Sequence, residues 1–260
     1  MKKAIIICLL TCVILLGVFS VSRRWTGDSS SSGSTSVVSV DTALLYLASI
    51  NDDKAGSSDN SGYRQGYQGR REVVFGKAWL DVDGNGCDTR NDILGRDLTF
   101  KDYDKHTTGL QENGIGKGVY SCPNATVYSG VLHDPYTGVK IDFVRGQETS
   151  ELVQIDHVVP LAYAYKHGGW KLFQEGKTDI LIRFANDPVN LLAVSGAANQ
   201  EKKAAGPSGW LPSKDSQARC DYALRFTTVI KKYNEYGLSL DLKDRGKLIE
   251  TIKQDCNYLL

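Results

Sequence analysis

Excess charge is the first thing this sequence lacks. Lysine and arginine together number 31, against 30 acidic residues in 260, for a formal net charge of +1. Bulk charge therefore does not mark a nucleic-acid binder. Internal repeats are absent too, which excludes a solenoid or propeller. No GxxxxGK[ST] run occurs, so there is no P-loop for a nucleoside triphosphate. No recognition helix or finger pattern offers to read base sequence. The composition, 41% apolar and 23% charged, excludes a wholly disordered chain, a collagen-like repeat and a polytopic membrane protein.

Acidic residues are missing from the first 24 positions, which hold Lys2, Lys3, Arg23 and Arg24. The remainder carries 27 basic and 30 acidic residues, a balance of −3. After the two lysines, residues 4–22 form an uninterrupted run of apolar and small side chains. That is the pattern of an export signal, and 19 residues also suffice to span a bilayer as a helix. Two expectations stay open for residues 1–24: cleavage near Ser20 or Ser22, or retention as an N-terminal anchor. Neither Cys8 nor Cys12 sits in a lipobox pattern. Both versions place the bulk of the chain outside the cytoplasm, extracellular or anchored facing outward. Membrane contact is expected only through this segment.

Four cysteines remain beyond it: Cys87, Cys122, Cys220 and Cys256. No two stand at CxxC spacing, which disfavours zinc. An even count in an exported chain reads as disulfides, with four reduced buried thiols as the alternative. Helical periodicity puts Ala218, Tyr222, Phe226, Ile230 and Tyr233 on one face of residues 215–234. Leu248, Ile249, Ile252 and Cys256 share a face of residues 244–258. Gly237 between them is a plausible helix stop. An antiparallel pair would join the start of the first helix to the end of the second, so Cys220–Cys256 is expected, leaving Cys87–Cys122.

Residues 25–62 read as a Ser/Gly-rich tether with a short helix starting at Asp41. Residues 63–260 read as one folded domain. Its middle holds the strand-like runs TVYSGVL, VKIDFV and LVQIDHVV, with Asp134-Pro135-Tyr136-Thr137-Gly138 as a turn. After Pro160 the chain turns mainly helical, so the fold class is α+β.

The chemistry concentrates in two runs. Gln154-Ile155-Asp156-His157-Val158-Val159-Pro160-Leu161 sets a carboxylate beside an imidazole just before a proline. Asn190-Leu191-Leu192-Ala193-Val194-Ser195-Gly196-Ala197-Ala198-Asn199-Gln200-Glu201-Lys202-Lys203 follows. In residue type, order and spacing the two resemble the HNH nuclease signature. The resemblance runs wider, through residues 75–94, the Asp134–Gly138 turn, Trp210-Leu211-Pro212 and the last two cysteines. Over about residues 63–258 the chain is similar to exported HNH proteins that share the C-terminal domain of GmrSD-type restriction endonucleases. It implies an HNH (ββα-metal) nuclease core, two strands and a helix gripping one ion, with additional helices and two disulfides.

Phosphodiester hydrolysis needs an activated water and positive charge on the developing anion. His157, ordinarily titrating near 6.5, is the candidate general base. Asp156 and Asn199 are oxygen ligands suited to Mg²⁺ or Mn²⁺. Asn190 would brace the loop bearing His157. Lys202, one helical turn beyond Asn199, would reach the phosphate, with Lys203 able to substitute. Regular strand geometry opposes part of this scheme, because adjacent residues point to opposite faces. Asp156 and His157 can share a site only if the strand is ending there. His106, His133 and His167 lack motif partners.

Residues 81–92 fit a calcium-loop template at Asp81, Asp83, Asn85 and Gly86, with Asp92 where glutamate is usual. A capped turn or an acidic loop beside the nuclease site are the alternatives, and Arg90 could contact phosphate. Residues 183–232 carry a net +4 and residues 81–112 a net −4. The expected activity is cleavage of nucleic acid, DNA favoured over RNA, with little sequence preference and by a monomer. The competing reading is an inactive, calcium-stabilised cell-surface binding module. A restriction enzyme for modified DNA fits less well, given the export signal and the absent P-loop.

Overall fold

The computed structural model describes residues 36–50, 71–104 and 126–256. The apolar run at residues 4–22 and Cys122 lie outside them. Among the described residues, no helix is long and apolar enough to cross a membrane.

In chain order the elements are α1 (Val40–Ser49), α2 (Arg71–Phe75), α3 (Thr89–Asp97), β1 (Leu98–Asp104), β2 (Thr126–His133), β3 (Lys140–Val144), β4 (Val153–His157), α4 (Leu161–Ala164), α5 (Trp170–Gln174), α6 (Thr178–Ala185), β5 (Leu191–Ser195), α7 (Gly196–Lys202), α8 (Ser216–Asn234) and α9 (Leu242–Asp255). A π-type turn at Tyr165–Gly169 joins α4 to α5. The result is a mixture of helices and small antiparallel sheets, in keeping with the expected α+β class. β1, β2 and β3 form one sheet, and β4 and β5 form a second.

The three strand-like runs of the middle are β2, β3 and β4. The turn between β2 and β3 closes with the Gly138 amide on the Asp134 carbonyl (2.9 Å). Gly138 has φ +74°, a region that costs glycine little. Between the sheets, Ile93 and Leu94 of α3 pack with Leu98, Leu132, Phe143, Ile155 and Leu191 in one apolar cluster. A larger cluster joins α1, α6, α8 and α9. The short helix expected at Asp41 is α1, capped two residues earlier by Ser39. Its Ala43 and Leu47 are fully buried, so it is an integral part of that core.

Ala218, Tyr222, Phe226, Ile230 and Tyr233 are all buried on α8. Gly237 follows with φ +102°. The start of α8 meets the end of α9 at the Cys220–Cys256 disulfide (Cα–Cα 5.1 Å), where Arg219 also pairs with Asp255 at 2.8 Å. This is the disulfide that the helix pairing predicts. It is the one disulfide seen whole among the described residues. Cys87 is buried, but its expected partner Cys122 lies outside the described residues.

Candidate active site

β4 and β5 pair antiparallel, with Asp156 opposite Leu192 and His157 opposite Leu191. α7 starts directly after β5 and packs across both strands. At its start Gly196 lets the helix approach the turn before β4: a Cβ there would clash with the Glu151 carbonyl oxygen. Two strands and a helix therefore hold the Asp156–His157 pair.

The loop after His157 is anchored by Asn190, which is completely buried. Its Oδ1 accepts from the Val159 amide at 2.8 Å, and its Nδ2 donates to the carbonyls of Val159 (3.3 Å) and Phe184 (3.4 Å). The Asn190 carbonyl accepts from the Val158 amide at 2.8 Å. One side chain thus ties the strand end to the end of α6.

Asp156 and His157 make their contacts in different directions, as strand alternation requires. Asp156, 4% exposed, faces α7 and the Asp134–Gly138 turn. The Tyr136 hydroxyl donates to its Oδ2 at 2.6 Å. The Lys202 ammonium lies 3.0 Å from Oδ1 and 2.9 Å from Oδ2 and also donates to the His157 carbonyl at 2.8 Å. Lys202 is 1% exposed. Burial pushes the Asp156 carboxyl up and the Lys202 ammonium down, each opposed by the attraction between them.

The His157 ring instead places Nε2 2.8 Å from the Ala185 carbonyl at the end of α6. A carbonyl only accepts, so Nε2 carries the proton and Nδ1 keeps its lone pair. Burial, with smaller contributions from the nearby Arg71 and Lys202 charges, lowers the ring to about 4. His157 is therefore neutral near pH 7 and held in one tautomer. Because β4 ends at His157, both residues still line one cavity of about 220 Å³, together with Pro160, Asn199 and Lys203.

The donor set in this cavity can be tested against a divalent cation. Asn199 turns its amide nitrogen onto Gln154 Oε1 at 2.9 Å, which leaves its own carbonyl oxygen as a donor. Asp156 supplies the carboxylate. Hard oxygen donors of this kind fit Mg²⁺ or Mn²⁺ by type, although both Asp156 oxygens are also contacted by the Lys202 ammonium. Among the described residues, no group of three or more His, Cys, Asp or Glu side chains could hold an ion.

The acidic loop closes on itself. Asp81 accepts from the amides of Gly84, Asn85 and Gly86, and Asn85 donates to Asp83 and Asp92. Asp88 caps α3 through the Asn91 amide at 2.8 Å. Burial, then repulsion from Asp83, Asp81 and Asp88, raises Asp92 to about 6, although the Asn85 amide opposes this. Arg90 is half-buried beside the Val153 carbonyl, at 3.5 Å, at the opposite end of β4 from His157.

Sequence reasoning missed Tyr136, Gln154, Arg71 and the Ala185 carbonyl. Tyr136 stood in the sequence only as part of a turn. It carries no periodic signal, and its link to Asp156 spans 20 residues.

The fold and site define a mixed α/β domain with an Asp-His pair presented by two strands and a helix. The model of the family described as "GmrSD restriction endonucleases, C-terminal domain" matches residues 88–240, and the chain belongs to that family. Membership places it among nuclease-related domains. The chain is also 32% identical over 174 residues to an "Uncharacterized secreted protein" of Arthroderma benhamiae, spanning 65% of this chain and 68% of that protein. No solved structure matches.

Proposed function

We propose that this protein is an exported, metal-dependent endonuclease of HNH type that hydrolyses phosphodiester bonds, in DNA before RNA, with little sequence preference. The observation that carries the reading is His157: neutral near pH 7, and fixed by the Ala185 carbonyl in the tautomer that leaves the Nδ1 lone pair free to take a proton. The placement of Asp156 and Asn199 on the same cavity supports it, as does membership of a restriction-endonuclease family. Export is supported by the Lys2-Lys3 signal pattern and by a relative described as secreted.

In this scheme His157 takes a proton from water as the oxygen attacks phosphorus. The bond to the 3′ oxygen breaks, and that oxygen takes a proton from solvent. Mg²⁺ or Mn²⁺ held by Asp156 and Asn199 would supply positive charge to the phosphate. Asn190 keeps the strand end in place, and Lys202 keeps the Asp156 carboxylate ionised in its buried setting.

The test incubates the purified protein, disulfides intact, with plasmid DNA or structured RNA and Mg²⁺, Mn²⁺, Ca²⁺ or EDTA, beside a His157→Ala variant. Metal-dependent cutting that the variant loses is the expected result. Folded protein that cuts neither polymer with any metal would overturn the reading in favour of the calcium-stabilised binding module.

A further inference from the structure

The cavity at His157 does not end at Lys203. A second cavity of about 330 Å³ shares Ala162 and Ala204 with it. The two form one groove between α4 and the loop that follows α7. Along it stand three exposed lysines: Lys203 beside His157, then Lys166 and Lys243. None of the three forms an ion pair with another described residue. The acids of the same groove have partners: Asp156 pairs with Lys202, and the other two are held by backbone amides. Asp244 is buried and accepts from the Ser208 amide at 2.7 Å, and Asp241 caps α9 through the Lys243 amide at 2.8 Å.

Lys202 and Lys203 are neighbours with opposite fates. Lys202 runs inward to Asp156. Lys203 closes α7, its amide on the Asn199 carbonyl at 3.0 Å, with φ +51° and ψ −124°. Glycine adopts that backbone freely and lysine does so only under strain. Stability alone would favour glycine there, yet the strained residue is the one that brings an unpaired cation to the cleft.

We infer that Lys203, rather than Lys202, meets the phosphate at the scissile position, and that Lys166 and Lys243 hold the next phosphates of a DNA strand lying in this groove. The inference rests on the nuclease reading and names the path its substrate takes. Long, unpaired ammonium groups on a groove suit a repeating phosphate backbone and do not discriminate bases.

The test measures binding of a fluorescent 20-base-pair DNA duplex by the purified full-length chain in EDTA across a salt series. Lys203→Gly is expected to weaken binding severalfold and to lower the slope of log affinity against log salt by about one. Its thermal stability should equal or exceed that of the parent. Lys166→Gln with Lys243→Gln should weaken binding too and lower the slope by about two, whereas Lys231→Gln on α8, exposed and lining neither cavity, should change neither quantity. Unchanged affinity and slope in Lys203→Gly, in a protein that still binds and cuts DNA, would overturn the groove and leave the nuclease reading standing. A parent chain that neither binds nor cuts DNA would overturn both.

Discussion

The Lys202 ammonium lies within 3.0 Å of both carboxylate oxygens of Asp156, and the two side chains are sealed from solvent almost completely. The bond joins the last turn of α7 to the penultimate residue of β4, so it fixes the helix against the strand that carries His157. A buried ion pair of this kind adds little net stability, but breaking it from one side leaves a stranded charge. Lys202→Met is therefore expected to destabilise the fold by about 3–5 kcal/mol. Adding Asp156→Asn should restore part of that loss. Urea denaturation of the two single variants and the double variant gives the coupling directly.

Tyr136 contributes the other partner of Asp156. Tyr136→Phe removes only the hydroxyl, leaving the edge contacts of its ring with Trp210 and Tyr222 in place. A hydrogen bond to a buried charge is worth about 1.5–3 kcal/mol, and equilibrium unfolding should show a loss in that range with no change in the denaturant slope.

Asn190→Ala would remove three side-chain hydrogen bonds at once, two to the strand-end loop and one to α6. The expected loss is about 3 kcal/mol, because buried backbone groups are left unsatisfied. Activity should fall with it, since the loop leaves His157 and returns to α4. Asn190→Asp keeps the acceptor for the Val159 amide but turns a carboxylate oxygen onto the Val159 and Phe184 carbonyls in a buried site, and should be at least as destabilising.

Replacing Cys220 and Cys256 with alanine opens a closure of 36 residues. On the chain-entropy account this costs about 4 kcal/mol. The Arg219–Asp255 pair remains to orient the helix ends, so the fold should persist with a lower melting temperature. Calorimetry of the variant against the oxidised parent measures the loss.

Acid should weaken the fold through His167, which is 7% exposed and stacks on Tyr163 with ring centroids 4.2 Å apart. Burial lowers its affinity for a proton, and Lys166 adds to this, while Asp241 and Asp244 oppose it. The folded state then binds the proton less readily than the unfolded chain, whose imidazole titrates near 6.5. Its contribution is complete above about pH 6.5 and is lost as the pH falls below that value. His157, lowered to about 4, acts in the same direction. His167→Phe preserves the stacking and should reduce, but not abolish, the drop in stability between pH 7.5 and 5, measured by urea titration.

Much of this was legible before any coordinates. The alternation and β-branching of TVYSGVL and VKIDFV mark β2 and β3, and the i, i+4 spacing from Ala218 to Tyr233 marks the buried face of α8. Both are local properties, so periodicity reports them. The Cys220–Cys256 pairing followed because two strongly periodic helices with a glycine stop between them leave few ways to pack. Asn190 was legible as a brace through its place in a family-like motif.

The tertiary structure alone decided the direction and depth of each side chain. Lys202 and Lys203 are indistinguishable as letters. One is buried on Asp156 and the other lines the cleft, because α7 ends between them in a backbone turn with positive φ. Tyr136 is a turn residue in sequence and a buried partner of Asp156 in space, since only the packing of the β2–β3 turn against β4 brings them within hydrogen-bonding distance. The single tautomer of His157 depends on a carbonyl 28 residues away, and its neutrality on burial. Residue type and spacing specified which groups are available for chemistry. Burial and long-range contact, which no local pattern encodes, specified which of them are charged, paired or free to act.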